Sequence, residues 1–229
     1  MNRCVVLLMT LFALSMVSLV HAGLEDAESA YKRGDYVKAA KEFKTLAEQG
    51  MAEAQLKLGL MYDEGRGVRK DQPEAMKWFL KAAEQGMAEA QLKLGLMYDE
   101  GHGLPKDYSK AVKWFLKAAD QGMTEAQYNL GLMYHEGEGV PKDYSEAMKW
   151  LSYAAEQRDA SAEYNLGVMY ARGEGVPQDL VQAHMWFNLA AAQGSSKAQM
   201  ARDKVASQMT PSQIAEAQSL ARQWKPKDQ

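Results

Sequence analysis

"MAEAQLKLGLMYDEGRGVRKDQPEAMKWFLKAAEQG", residues 51–86, is followed at once by "MAEAQLKLGLMYDEGHGLPKDYSKAVKWFLKAADQG", residues 87–122. The two stretches are identical at 28 of 36 positions. The same period continues through residues 123–158 and 159–194. Thirteen positions never vary: in the first unit they are Ala54, Leu58, Gly59, Met61, Tyr62, Gly65, Gly67, Asp71, Ala75, Trp78, Ala82, Ala83 and Gln85. Self-similarity with a period of a few tens of residues marks an array in which each unit buries its apolar face against its neighbours.

Within a unit the apolar residues fall at helical spacing twice. Ala54, Leu58, Met61 and Tyr62 predict a first helix, and Ala75, Trp78, Phe79 and Ala82 the buried stripe of a second. Asp71 is placed to cap the second helix. Glu74, Glu146 and Gln182, three residues beyond the cap, would complete capping boxes, and Lys110 could not. Gly65-x-Gly67, followed by Arg69 and Lys70, reads in isolation as a phosphate cradle. It recurs as Gly101/Gly103, Gly137/Gly139 and Gly173/Gly175, always after a helical pattern. The basic pair becomes Pro105-Lys106, Pro141-Lys142 and Pro177-Gln178. These are helix stops that need positive φ.

Other recurring residues read as structure. Val68, Leu104, Val140 and Val176 are expected to plug the gap between the two helices of a unit. A mid-helix glycine costs about 1 kcal/mol against alanine, so Gly59 and its equivalents predict close helix approach. Trp78, Trp114, Trp150 and Trp186 recur as core wedges, and Met61, Met97, Met133 and Met169 as core filler. Arg158 stands where the other units end in glycine, at Gly86, Gly122 and Gly194. It predicts either a strained residue or a second helix that runs on past Gln157.

The pattern A-x-x-x-L-G-x-M-Y-x-x-G-x-G-V-x-x-D-x-x-x-A-x-x-W-x-x-x-A-A resembles the Sel-one-like repeat, a variant of the tetratricopeptide repeat. The resemblance covers residues 51–194 and implies an all-α fold, a right-handed α-solenoid of antiparallel helix pairs. "AYKRGDYVKAAKEF", Ala30 to Phe43, looks like an ordinary tetratricopeptide repeat, which assigns residues 23–50 to an N-terminal helix pair. Residues 195–229 begin like a fifth first helix, with Ala198-Gln199, but lose the L-G-x-M-Y motif. They end in "TPSQIAEAQSLARQW", where Thr210, Pro211 and Gln213 signal a helix start and Ile214, Ala217, Ala221 and Trp224 an apolar side. This is read as a C-terminal cap.

Residues 1–22, "MNRCVVLLMTLFALSMVSLVHA", read as a secretory signal peptide: Arg3, an apolar run from Val5 to Val20, and small residues before cleavage after Ala22. The run is shorter than the ~20 residues a membrane span needs, so no stable span is expected after cleavage. Cys4 leaves with the signal, so the mature chain has no disulfide. The expected destination is the bacterial periplasm, with full secretion the alternative.

Composition excludes some chemistry. The net charge is -3 and the charges are interleaved, so no nucleic-acid stripe exists. No cofactor or metal is expected, because His102, His135 and His184 occupy different slots and no catalytic signature of phosphate or zinc chemistry occurs. One S-x-x-K, Ser29 to Lys32, echoes the β-lactamase activity described for some cysteine-rich relatives of the resembled family. It lacks the companion S-D-N and K-T-G motifs, and the chain is read as non-catalytic.

What remains is a binding surface. Aligned on ordinary tetratricopeptide repeats, the groove-facing slots are Glu53, Leu56, Leu60, Asp63 and Glu64 in the first unit. They are Glu89, Leu92, Leu96, Asp99 and Glu100 in the second, and Glu125, Tyr128, Leu132, His135 and Glu136 in the third. In the fourth they are Ser161, Tyr164, Val168, Ala171 and Arg172. Leu or Val fills the slot where carboxylate-clamp relatives place Asn. The expectation is an apolar and aromatic stripe, suited to an extended or helical peptide, with self-packing of the stripe as the competing reading. The resemblance implies an adaptor or regulator of another protein or peptide, in envelope signalling, surface polysaccharide control or host interaction. A homo-oligomeric scaffold is the other alternative to a hydrolase, and monomer or weak homo-oligomer the expected state.

Overall fold

The structure is a computed structural model that describes residues 22–103 and 105–226. The signal segment up to residue 21 and the plug residue Leu104 lie outside the described residues. The described chain is all-α and contains no strand. Helix α1 covers residues 22–32. It is followed by α2 (Tyr36–Glu48), α3 (Ala52–Glu64), α4 (Gln72–Glu84), α5 (Ala88–Glu100), α6 (Tyr108–Asp120), α7 (Thr124–Glu136), α8 (Tyr144–Glu156), α9 (Ala160–Arg172), α10 (Leu180–Ala192), α11 (Ser196–Ala206) and α12 (Pro211–Gln223). Two compact units, Met1–Lys106 and Asp107–Gln229, are built the same way. In each, helices adjacent in sequence pack as pairs, such as α3 with α4 and α9 with α10.

Small residues let the pairs close. Ala54, Ala75 and Ala82 have no exposed surface. A Cβ added at Gly59 would lie 2.6 Å from the Phe79 ring, and one at Gly131 or Gly167 would strike Leu151 or Phe187 at 2.7 and 2.6 Å. The mid-helix glycine is therefore the socket for the large residue of the second helix. Met61, Met97, Met133 and Met169 are all buried. Trp78 and Trp150 are buried, whereas Trp114 and Trp186 are half-buried. Trp186 is met edge-on by Trp224 at 5.9 Å, and α12 packs on α10. Val68 packs against the core of the first unit.

Each first helix of the repeats stops at a left-handed glycine; Gly65 has φ 74° and its N–H reaches the Met61 carbonyl. The second glycine does more. A Cβ at Gly67 would overlap the Tyr36 main chain, one at Gly139 the Tyr108 main chain, and one at Gly103 would lie 2.7 Å from the Gln72 Cβ. The loop thus seats on the first turn of the preceding second helix, and the Gly-x-Gly is a joint between repeats.

Asp71, Asp107, Asp143 and Asp179 cap the second helices, each accepting main-chain N–H groups. The expected capping boxes are corrected. Glu74 turns down its helix, where Lys77 Nζ donates at 2.8 Å and Trp78 Nε1 at 2.9 Å, and Glu146 accepts from Lys149. A carboxylate at the cap repels a second one three residues on. Gln182 makes no return bond among the described residues either: Asp179 accepts the N–H groups of both Val181 and Gln182. A complete box forms where both partners are neutral, at Thr210 and Gln213.

Glutamines on both helices stitch repeats together at two seams, those of Gln85 and Gln157. Gln55 donates to the Ala47 carbonyl at 3.1 Å and accepts from Gln85, which also donates to the Gly50 carbonyl. Gln127 and Gln157 repeat this with the Ala119 and Gly122 carbonyls.

Arg158 is the one non-glycine residue with positive φ among those described, at 65°. Helix α8 ends on schedule, and the Arg158 and Asp159 N–H groups reach the Ala155 and Ala154 carbonyls as those of Gly122 and Met123 reach Ala119 and Ala118. Of the two expected outcomes, the strained residue is the one realised. Arg158→Gly is expected to stabilise the protein by about 0.5 kcal/mol, the left-handed strain relieved minus the added freedom of the unfolded chain. Chemical denaturation at pH 5 measures it.

Candidate functional site

In the N-terminal unit the groove slots lie on α3 and α5. Glu53, Glu64, Glu89 and Glu100 are exposed, while Leu60, Asp63, Leu96 and Asp99 are half-buried. Burial pushes the Asp99 carboxyl up. Leu56 and Leu92 are 2% and 3% exposed. They are corrected from groove anchors to core: a leucine at this slot is short enough to be covered completely. Leu60 instead opens on a cavity of about 250 Å³ that it shares with Tyr31, Phe43 and Lys57. The face is acidic around a small apolar opening.

The C-terminal unit offers more. Tyr128 and Tyr164 occupy the slot of Leu56, but their rings are too long to be covered and stay half-buried. Tyr164 packs on Phe187 at 5.5 Å, and Lys197 Nζ lies 4.3 Å over its ring. Burial pushes the Tyr128 hydroxyl up, and hydrogen bonds with Asn165 and Ser161 act against that. A cavity of about 430 Å³ lies over these rings, bounded by Leu132, Ser161, Asn165, Gln193 and Lys197. A second, about 200 Å³, adds His135, Glu136, Val168 and Arg172. Val168 and Arg172 also border a third, about 230 Å³, with Ala201 and Lys204. Shared residues make the three a continuous trough along α9, flanked by α7 and α11.

His135 is engaged. Its Nδ1 lies 2.9 Å from Glu136 Oε1 and its Nε2 2.8 Å from Glu174 Oε2, while Arg172 reaches Glu174 at 3.5 Å. This fastens the loop after α9 to α7 and sets the trough wall. Glu125 is exposed beside the start of α7. Asn165, Gln193, Lys197 and Lys204 were not anticipated. Asn165 is one turn beyond Ser161, so helical spacing placed it on the same face. Lys197, Met200 and Lys204 hold the slots of Glu53, Leu56 and Leu60 once the repeat alignment is carried one unit further, and Met200 is 67% exposed.

Other chemistry is not assembled. Ser29 accepts a hydrogen bond from Arg33, and Lys32 faces Glu28 at 3.8 Å, so the S-x-x-K pair is not joined. Among the described residues no His, Cys, Asp and Glu side chains gather into a group that could hold a metal ion, and no helix is long and apolar enough to cross a membrane.

Known proteins locate this architecture. The Sel1 repeat profile matches residues 52–87, 88–123, 124–159 and 160–195. The fold is similar to the crystal structure of a Sel1 repeat protein from Oxalobacter formigenes, at 33% identity over 86% of this chain and 84% of that one, with a TM-score of 0.74. It is also similar to c5321, a protective antigen of uropathogenic Escherichia coli strains displaying the same repeat fold. There the identity is 31% and the TM-score 0.57, covering 89% of this chain and 52% of that one. No curated protein matches the chain. Four consecutive profile matches, and the helix-pair geometry they share with these structures, show that the chain belongs to the Sel1 repeat family.

Proposed function

We propose that this protein is an exported, non-catalytic adaptor that binds a segment of another protein in the trough along α9. Sel1 repeat proteins generally mediate protein–protein interactions and generally lack catalytic activity. The observation that carries the reading is the trough itself: half-buried Tyr128, Tyr164 and Leu132 form an apolar floor, and Ser161, Asn165 and Lys197 supply polar groups at its edge. An apolar floor with a few placed polar groups is what an extended or helical peptide needs. The signal-like residues 1–22 support delivery to the periplasm or beyond, where the partner would be met.

A photo-crosslinking residue placed at Asn165 should capture a defined partner from envelope extract, and one placed at Leu80, exposed on α4, should not. Lys197→Glu should reduce capture at least tenfold without moving the melting temperature, because Lys197 is exposed. Capture from the Leu80 position alone, or capture unaffected by Lys197→Glu together with Leu132→Asp, would sink this assignment. Tyr128→Ala with Tyr164→Ala is a poorer probe. Both rings belong partly to the core, so the double variant should lose capture and also melt several degrees lower.

A further inference from the structure

The stitch between repeats is made by an amide in three places and an acid in the fourth. Gln55, Gln91 and Gln127 each donate Nε2 to the carbonyl eight residues back, at Ala47, Ala83 and Ala119. The fourth residue of the series is Glu163, 1% exposed, and the carbonyl eight residues back is that of Ala155. An ionised carboxylate has no hydrogen to give that carbonyl; a protonated one is planar like the glutamine amide and has one O–H to donate where the amide has N–H. Its other oxygen accepts from Gln193 Nε2 at 2.8 Å in either state, as Gln127 accepts from Gln157. Gln193 has no second bond to the residue-158 carbonyl among the described residues, whereas Gln85 and Gln157 bond Gly50 and Gly122. The stitch is therefore weaker at the repeat that forms the trough than at the Gln85 and Gln157 seams, and Gln193 is part of the trough wall.

We propose that Glu163 is a proton-operated joint between α8, α9 and α10, closed when neutral and loosened when ionised. Neutral, it ties the Ala155 carbonyl to Gln193 as the amides do elsewhere. Ionised, it sets a buried charge against a carbonyl oxygen and frees the turn before α9. The facing groups are few. Arg158, in that turn, favours the ionised form, Asp159 at the α9 cap favours the neutral one, and α10 presents the neutral Gln193; the repeat register assigns the Ala155 carbonyl of α8 to the remaining side. Burial is the largest influence and pushes the carboxyl from its ordinary 4.5 up to about 7. Folding then takes up a proton between these values. The contribution is fully present below about pH 4.5 and is lost as pH rises to about 7 and above.

His184 acts in the opposite sense over part of this window. It is 3% exposed, burial lowers its proton affinity, and so it destabilises the fold as pH falls. The test is therefore read as the difference between the wild type and Glu163→Gln, with His184 present in both. At pH 8 Glu163→Gln should lower the unfolding equilibrium constant at least tenfold, and the two proteins should converge by pH 4.5. The carbon resonance of the Glu163 carboxyl should titrate near pH 7. Amide protection in α9 and the last turn of α10, corrected for intrinsic exchange, should fall above pH 7 in the wild type and stay constant in Glu163→Gln. A carboxyl that titrates at an ordinary value, or a Glu163→Gln protein no more stable than wild type at pH 8, would overturn the proposal.

Discussion

Phe79→Ala is expected to lower the free energy of unfolding by about 3–5 kcal/mol, the usual range for emptying a phenylalanine site in a core. Phe79 is 1% exposed, and its ring lies against the face of α3 left open by Gly59. No side chain at residue 59 can move into the space, because there is none. Removing the ring therefore leaves the cavity unfilled on both helices. The protein carries its own control: Leu151 fills the same slot against Gly131. Phe79→Leu should cost only about 1 kcal/mol, as volume changes of that size do. Urea denaturation followed by circular dichroism would distinguish the two. A loss below about 1 kcal/mol for Phe79→Ala would mean that α3 and α4 collapse to close the gap, and that the glycine socket is not rigid.

Gly139→Ala should be almost as damaging, at about 2–4 kcal/mol, because two costs add. Gly139 has φ 72°, which an alanine adopts only under strain. Its new Cβ would also overlap the Tyr108 main chain, which cannot rotate away as a side chain could. Gly122→Ala separates the two costs. Gly122 has φ 85° but nothing within 4 Å of an added Cβ, so it should lose only about 1 kcal/mol. Equal losses in the two variants would remove the case for Gly-x-Gly as a joint and leave it a simple helix stop.

Much of this was legible in the sequence. A 36-residue period marked a repeat array, helical spacing of Ala54, Leu58 and Met61 and of Ala75, Trp78 and Ala82 made each unit a helix pair, and fourfold recurrence separated the Gly-x-Gly from a phosphate site. One broken position in a repeated pattern marked Arg158 as either strained or the site of an overrunning helix, and the structure chose strain. The site was less legible for a geometric reason. Slots were assigned from spacing, and spacing gives the face on which a residue lies, without the depth to which its neighbours cover it. Leu56 and Tyr164 hold equivalent slots, yet one is covered and the other remains half-open because of side-chain length. The capping boxes at Glu74 and Glu146 failed for an electrostatic reason that the motif does not encode. Lys197 and Met200 were missed because the repeat signature fades before the α11 face does.

The amide stitch has a consequence for how such a protein changes over generations. Gln55 and Gln85, and again Gln127 and Gln157, meet across the same 30-residue separation through the same atoms. A gene segment coding one 36-residue period carries both halves of the seam with it. An in-frame tandem duplication would therefore lengthen the array with a working interface already present at each new boundary, and an unequal exchange would shorten it as cleanly. Residues 51–86 and 87–122, with 28 positions in common, have the look of such an event with few substitutions since. Length is then a property this lineage can alter in single steps, while the binding face is revised one residue at a time.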